Sequence, residues 1–398
     1  MLNQEQWPTS GMENRKDAST LAPEISPGEV MKRRNFAIHM TLAGLAPSMY
    51  ANAKTMQGNP VPPVLDNSLY KAVGLGRFQS GYSGALALNN QREAAGYVFF
   101  NIQGGYRPAL FQPGAAPKPI YTDGPGEAAG INAQTEIVGW FRQGGFTQAF
   151  RWWREQITTL PSLGGGSSHA AGINNRSEVV GWSEAAPGAT HAAYWWRDRL
   201  TDLGTWGGYA AQATSINERG DILGFREVVM NGVGVRQGVL LVRGRKPQLL
   251  PTPAGYDSLM PTAINNRGDI TGYVYNINDF IWSRHAFLYA DNKYTVMQPV
   301  GGNSPAGGLG INNRREVAGF RFDGNADPRD GAIVYLDSGR APVLLYAGPK
   351  RPYTPESWYR LSSACAINEE GAMVGTGRYS SAEYPYTWFE AYMLVPKR

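Results

Sequence analysis

The chain has 398 residues, 42% hydrophobic but only 17% charged, with 49 Gly, 27 Pro, 11 Trp and 21 Tyr. That composition suits one large repeat domain or two ordinary ones and excludes a disordered tail, a collagen and a coiled coil. Four His and a single Cys exclude a Cys-based zinc site and a disulfide scaffold, and the formal charge of +5 favours acidic partners only weakly.

In chain order, residues 1–30 are polar and aperiodic. Met31-Lys32-Arg33-Arg34-Asn35-Phe36 follows, then an apolar run from Ala37 to Leu45 and the small-residue end Ala51-Asn52-Ala53. A basic stretch, a short apolar run and an Ala-x-Ala end read as a secretory signal peptide. The run is too short for the ~20 residues of a membrane span, so no transmembrane protein is expected. Arg33-Arg34-x-Phe36 is similar to the bacterial twin-arginine signal, a receptor-read address for exporting folded proteins. Met31 is the expected start, residues 1–53 an upstream extension plus cleaved signal, and Lys54 the first residue of the mature chain. A Pro-rich linker (54–68) leads to one domain, 69–398. Beyond the signal there is no Lys/Arg-rich run or nucleic-acid motif, so no nucleic-acid partner is expected.

The domain is built from one unit seen seven times. Leu88-Asn89 to Gly96, Ile131-Asn132 to Gly139 and Ile173-Asn174 to Gly181 begin the series. Ile216-Asn217 to Gly224, Ile264-Asn265 to Gly272, Ile311-Asn312 to Gly319 and Ile367-Asn368 to Gly375 complete it. Successive Asn residues are 42 to 56 positions apart, a period that means a propeller or solenoid. Each unit reads as four short strands. Strand A is the small-residue stretch before the Asn (Ala170–Ile173), and strand B follows a turn (Glu178–Gly181). Strand C is a polar residue followed by apolar ones (His191–Trp195), and strand D ends in Thr201–Gly204. The Asn is a turn device, since its side chain hydrogen-bonds local backbone and tolerates unusual φ.

Positions two and four before each Asn hold only small residues and one Pro, as expected where seven strands A crowd around an axis. The last unit stops after strand C, Ala391–Val395, while a strand-D-like piece, Leu69–Gly76, precedes the first. Pairing of the two removes both free edges and closes the ring. The expectation is all-β: a seven-bladed β-propeller of four-stranded antiparallel blades, closed by an N-terminal strand.

The units resemble the HAF repeat family, extracellular repeats of bacterial proteins. His285-Ala286-Phe287 matches its signature outright, and His191-Ala192-Ala193, Gln148-Ala149-Phe150 and Glu390-Ala391-Tyr392 are variants. Asp202-Leu203-Gly204-Thr205-Trp206-Gly207-Gly208 resembles its strand-D ending. The resemblance covers Leu69 to Val395. It implies an extracytoplasmic, periplasmic or secreted setting and says little about activity.

No H-E-x-x-H, G-x-S-x-G, Walker A or strand-following G-x-G-x-x-G is present. Asp323-Gly324-Asn325-Ala326-Asp327 begins like a calcium loop but lacks its later Gly and Glu, so a plain turn is expected and no metal or cofactor. Loop lengths vary on the face formed by the D–A and B–C connections, and function is expected there. Its long loops are aromatic: Phe280 and Trp282; Tyr353, Trp358 and Tyr359; and Tyr379, Tyr384, Tyr386, Trp388 and Phe389. With Trp206, the tryptophans and tyrosines Trp282, Tyr353, Trp358, Tyr359, Tyr384, Tyr386 and Trp388 form the candidate binding set. Such rings suit sugar faces or a protein partner's anchors. Packing beneath their own loops is the competing reading. Five residues before each Asn stand Gly84, Glu127, His169, Gln212, Met260, Gly307 and Ser363, at the channel mouth. Glu127 and His169, on neighbouring blades, could do acid–base work, or belong to an ordinary polar ring. The Trp152-Trp153 and Trp195-Trp196 pairs are expected to pack between blades.

The expected function is an exported, non-catalytic, monomeric binding module for a glycan, an envelope component or an extracellular protein. The alternative is a polysaccharide lyase or hydrolase using Glu127 and His169.

Overall fold

The computed structural model describes residues 69–77, 82–99, 105–121, 123–197, 199–279, 283–297, 304–322, 331–336, 343–345, 357–380 and 388–397. The signal residues Arg33, Arg34, Ala51 and Ala53, the linker, and the calcium-like loop at Asp323 lie outside them.

Seven four-stranded antiparallel sheets form the domain. Blade 3 shows the plan: strand A Ser168–Ile173, B Val179–Ala186, C Ala189–Trp196 and D Arg199–Gly204. The edges are longer than the sequence pattern marks, because pairing continues past the apolar core. Blade 7 is composite. Strands Ser357–Ile367, Met373–Ser380 and Trp388–Pro396 are completed by the N-terminal strand Tyr70–Gly74, which pairs Tyr70 with Pro396 and Gly74 with Tyr392. The ring is closed.

Strand A is innermost, and the expected crowding is visible as backbone contact. A Cβ on Gly130 would meet the Gly172 Cα at 3.3 Å, and one on Gly310 the Ala366 Cα at 3.0 Å. The apolar core is divided into wedges between blades rather than gathered at a centre. Val138, Ala149, Leu160, Ala170, Val179, Ala193 and Trp195 fill the wedge between blades 2 and 3. Leu223, Leu259, Ile270, Val274 and Phe287 fill the one between blades 4 and 5. Fully burying a side chain such as Phe287 contributes about 2 kcal/mol, so each wedge is a substantial adhesive.

The repeat Gly has a specific cause. In every blade strand A carries a register shift two residues before the Asn, as between Ala170 and Gly172. The shift turns the carbonyl of the residue five before the Asn toward strand B. A Cβ on Gly181 would overlap the His169 carbonyl oxygen, and the other six repeat glycines face the equivalent oxygen.

The repeat Asn does more than shape a turn. Its Oδ1 accepts from the amides two and four residues on, as Asn174 does from Arg176 (3.0 Å) and Glu178 (3.1 Å). Its Nδ2 donates to the carbonyl of the next blade's Asn at 3.0–3.2 Å, in all seven blades. The last of these, Asn368 to Asn89, closes the circle. The same Nδ2 also meets a carboxylate four residues on in six blades, from Glu93 to Glu316. The unusual φ lies three residues after the Asn rather than at it: Arg92, Thr135, Ser177, Gly220, Gly268, Arg315 and Gly371 all have φ between 58° and 92°. This is the type I turn followed by a left-handed residue that joins strands through three-residue loops.

Four of these carboxylates, Glu136, Glu178, Asp221 and Asp269, are buried, and all six are hydrogen-bonded. Burial alone would raise the Glu178 pKa, but hydrogen bonds from Arg243, Asn174, Arg176 and Tyr194 outweigh it and hold the group at about 2. A depressed carboxyl stabilises the fold fully above its ordinary pKa, near 4.5, and loses that contribution as pH falls toward 2. Glu178→Gln is therefore expected to cost about 2 kcal/mol at pH 7, with the gap in melting temperature closing below pH 3. Thermal melts of both proteins across pH 2–7 check it; a gap independent of pH overturns it.

Candidate functional site

The D–A and B–C connections open at the end of the channel where each strand A begins. There the residue five before the Asn pairs across strands with the residue just after the repeat Gly: Gly84 with Tyr97, Glu127 with Trp140, His169 with Trp182, Gln212 with Phe225. Met260 with Tyr273, Gly307 with Phe320 and Ser363 with Thr376 complete the ring. Six of the seven strand-B partners are aromatic, a periodicity that is plain in the sequence once the Gly is used as the phase. In some blades the strand-A residue lies between the strand-B partner of its own blade and that of the preceding one. His169 packs between Trp140 (6.1 Å) and Trp182 (6.0 Å, planes 9° apart). A Cβ on Gly307 would meet both Phe320 and Tyr273, and one on Gly84 both Tyr97 and Thr376. Where strand A holds Gly, the aromatic rings occupy the vacated space.

The ring is uneven. Trp140, His169, Trp182, Gln212, Met260, Tyr273 and Thr376 are half-buried, whereas Gly84, Tyr97, Glu127, Phe225, Gly307, Phe320 and Ser363 are buried. The open arc thus lies mainly in blades 2–5, with Phe225 buried within it. Two cations cover its inner rings: Arg236 lies 4.7 Å over Phe225, and Arg284 lies 4.8 Å over Tyr273 and 5.7 Å from Phe320. On the other side an aromatic string runs outward from the mouth through Tyr97–Tyr106 (4.7 Å), Tyr106–Phe99 (5.3 Å), Phe99–Tyr82 (5.8 Å) and Tyr82–Phe389 (5.9 Å).

Burial between the indoles lowers the His169 pKa to about 4, so the imidazole is neutral at physiological pH. Its Nδ1 is buried without a hydrogen-bond partner. No carboxylate contributes to that shift. Glu127 instead raises the pKa values of Tyr97 and Tyr106, on the blade 1 side, after burial as the larger cause. Trp140, the cross-strand partner of Glu127, is the ring against His169. The geometry therefore supplies flat apolar faces with a neutral ring nitrogen and the Gln212 amide among them. Such a surface suits stacking and neutral hydrogen bonding.

Of the aromatic set expected from the loops, Trp206 is half-buried, its six-membered ring against Gly224 and its backbone carbonyl accepting from Arg226 (2.8 Å). Trp358 is not on an open face. It is 7% exposed, 5.1 Å from Tyr379 and 5.7 Å from Tyr392, in the core between blades 6 and 7. Its strand begins earlier than the sequence pattern suggests, and pairing with Met373–Ser380 turns the indole inward. Trp282, Tyr353, Tyr384 and Tyr386 lie outside the described residues, as do the side chains of Tyr359 and Trp388. The polar residue opening strand C is engaged structurally in several blades: His191 with Asp202 (2.9 Å), Gln237 with Arg226 (2.9 Å), His285 with Tyr256 (3.1 Å). The tandem tryptophans split. Trp152 and Trp195 are buried between blades as expected, but Trp153 and Trp196 are 38% and 41% exposed.

Fold and site together define a seven-bladed β-propeller repeat protein. The chain is similar to the β-propeller domain of the Trilobed protease from Pyrococcus furiosus, at 10% identity and a TM-score of 0.50, over 81% of this chain and 96% of that one. YCF48 bound to D1 peptide (10% identity, 85% and 98% covered, TM-score 0.46) and TolB from Acinetobacter baumannii (9%, 80% and 64%, 0.39) are more distant likenesses. At such identities the likeness concerns the fold alone. No family profile matches the chain, and no curated protein does. Among the described residues no helix is long and apolar enough to cross a membrane, and no three His, Cys, Asp or Glu side chains group as metal ligands.

Proposed function

We propose that this chain is an exported binding propeller that recognises a glycan, an envelope component or an extracellular protein on its D–A/B–C face. The twin-arginine-like segment and the HAF-like repeats support export and a periplasmic or extracellular setting, with the mature chain starting at Lys54. The observation that carries the binding reading is the half-buried Trp140–His169–Trp182 cluster at the channel mouth. Indole faces beside a neutral hydrogen-bonding ring fit the apolar face and hydroxyl edge of a sugar. The aromatic loops, including Tyr353, Tyr359, Tyr384, Tyr386 and Trp388, extend the same face in this reading, with Trp206 and Trp282 at its sides.

A glycan-array screen of the chain from Lys54, with every hit then checked for product by mass spectrometry, tests it. Binding without product supports recognition. Trp182→Ala is expected to weaken the best hit at least tenfold with the melting temperature within a few degrees of wild type. Binding is expected to be level from pH 5.5 to 8, because the His169 imidazole is neutral throughout. Affinity unchanged in Trp182→Ala overturns the channel-mouth assignment. Product formation that is abolished by Glu127→Gln with binding retained would favour the alternative, a polysaccharide lyase or hydrolase.

A further inference from the structure

On the opposite face the A–B and C–D turns meet, and the rim of blades 2–4 is unlike the other described turns. Strand C of blade 2 ends Trp152-Trp153 and strand C of blade 3 ends Trp195-Trp196. Both pass into tight turns, paired Trp153 with Gln156 and Trp196 with Arg199. Arg154 and Arg197, at φ 47° and 50°, fold back so that each guanidinium lies 4.3 Å from the neighbouring exposed indole. Two Trp–Arg pairs thus stand at one height on adjacent blades. The next turn along continues the charge with Arg245 and Lys246, both exposed, and Arg199 is exposed beside Trp196.

Among the described carboxylates nearby, Glu155 is bound by Lys118 (2.5 Å), and Glu178 and Asp221 hold Arg243, Arg176 and Arg219. Glu218 accepts from a neutral amide, that of Asn175 (3.2 Å), and keeps its charge, and Asp198 of the blade 3 turn lies outside the described residues. Arg154, Arg197, Arg199, Arg245 and Lys246 outnumber these two. Among the described residues Arg199, Arg245 and Lys246 have no carboxylate partner. Solvated cations around amphipathic indoles, spread along a rim over three blades, complement a diffuse anionic plane rather than a discrete anion. Indoles settle at the headgroup level, and surface basic residues are each attracted by anionic lipid.

We propose that the C–D rim of blades 2–4 docks on an anionic lipid bilayer. Trp153 and Trp196 enter the headgroup layer there, and Arg154, Arg197, Arg199, Arg245 and Lys246 lie against the lipid phosphates. Docked this way, the channel mouth on the opposite face points away from the bilayer. The proposal rests on this rim alone and stands whether or not the mouth binds a glycan.

The test is co-sedimentation with vesicles of phosphatidylcholine alone or mixed with phosphatidylglycerol. It is run on the full chain and, in parallel, on the form starting at Lys54. Binding is expected only to the anionic vesicles and is expected to fall steeply as salt is raised. Removing three charges in Arg199→Ala/Arg245→Ala/Lys246→Ala is expected to weaken it roughly a hundredfold, at about fivefold per charge. The separate Trp153→Ala/Trp196→Ala variant is expected to weaken it at least tenfold. Both variants alter exposed side chains and are expected to melt with the parent protein. Equal binding to neutral vesicles, or anionic binding untouched by both variants, overturns the proposal. Heparin binding that survives while vesicle binding is absent reassigns the rim to a soluble polyanion and overturns it as well.

Discussion

A chain lacking Leu69–Gly76 is expected to lose its native state. The excised strand supplies a five-residue antiparallel pair to Trp388–Pro396, a bond from the Leu75 amide to the Ala391 carbonyl (2.9 Å), and one from Lys397 to the Leu69 carbonyl (2.8 Å). Leu75 is 4% exposed and packs with Val374, Ala391 and Met393. At about 1 kcal/mol per hydrogen bond and about 2 for the leucine, the loss approaches the 5–15 kcal/mol that holds a typical domain together. The inner tie from Asn368 to Asn89 survives, so the last blade stays tethered at the axis while its outer edge is bare. An uncovered strand ending Tyr392-Met393-Leu394-Val395 is a template for pairing with a second chain. Size-exclusion chromatography of chains starting at Lys54 and at Arg77 checks this. The longer form is expected to run as a monomer with one cooperative melt. The shorter is expected to self-associate or melt more than ten degrees lower, and to be rescued by a peptide of residues 69–76 added in trans. Melting within two degrees of the longer form would show that the ring does not depend on this strand.

Gly181→Ala is expected to destabilise the protein by more than about 3 kcal/mol, although only one methyl is added. Backbone conformation is not the reason, since Gly181 is not among the positive-φ glycines. The methyl would overlap the His169 carbonyl oxygen, which belongs to a paired strand that cannot retreat without breaking the register around the shift at Ala170. Overpacking against backbone costs more than against a mobile side chain, for which 1–3 kcal/mol is usual. Gly172→Ala supplies the contrast. Its nearest neighbours would be the Ser215 Cα and a Val180 methyl at 3.6 Å, ordinary contact, and Ala occupies the same place as Ala87, Ala263 and Ala366. Denaturant unfolding of the two variants is expected to separate them by at least 2 kcal/mol. Equal stability would mean that the repeat Gly answers to something other than the strand-A shift.

Much of this architecture is legible in the sequence, because it repeats. One Asn-to-Gly spacing seen seven times averages out the ambiguity of any single short strand. The unpaired strand-like pieces at the two ends of the domain announce ring closure. The site is less legible. The aromatic residue that follows six of the seven repeat glycines obeys the same period, yet the long loops hold a greater aromatic density. Trp358 shows why density misleads: a ring in an irregular stretch joins either face, and here pairing with Met373–Ser380 sends it into the core. The two tandem tryptophan pairs show the converse, with strand alternation burying one ring of each and exposing its neighbour.

By itself the sequence determines the number of blades, the order of strands and the turn chemistry. Each of these is local and periodic: an Asn bonds amides two and four residues away, and a left-handed residue follows at a set distance. Relations between blades are decided by the tertiary structure alone. The Asn amide that reaches 42 to 56 residues ahead and the imidazole held neutral between indoles of two blades both depend on close approach of distant segments. The repeat marks where such residues stand but not what they touch, because direction and distance across a blade interface are set by sheet twist and packing rather than by spacing along the chain.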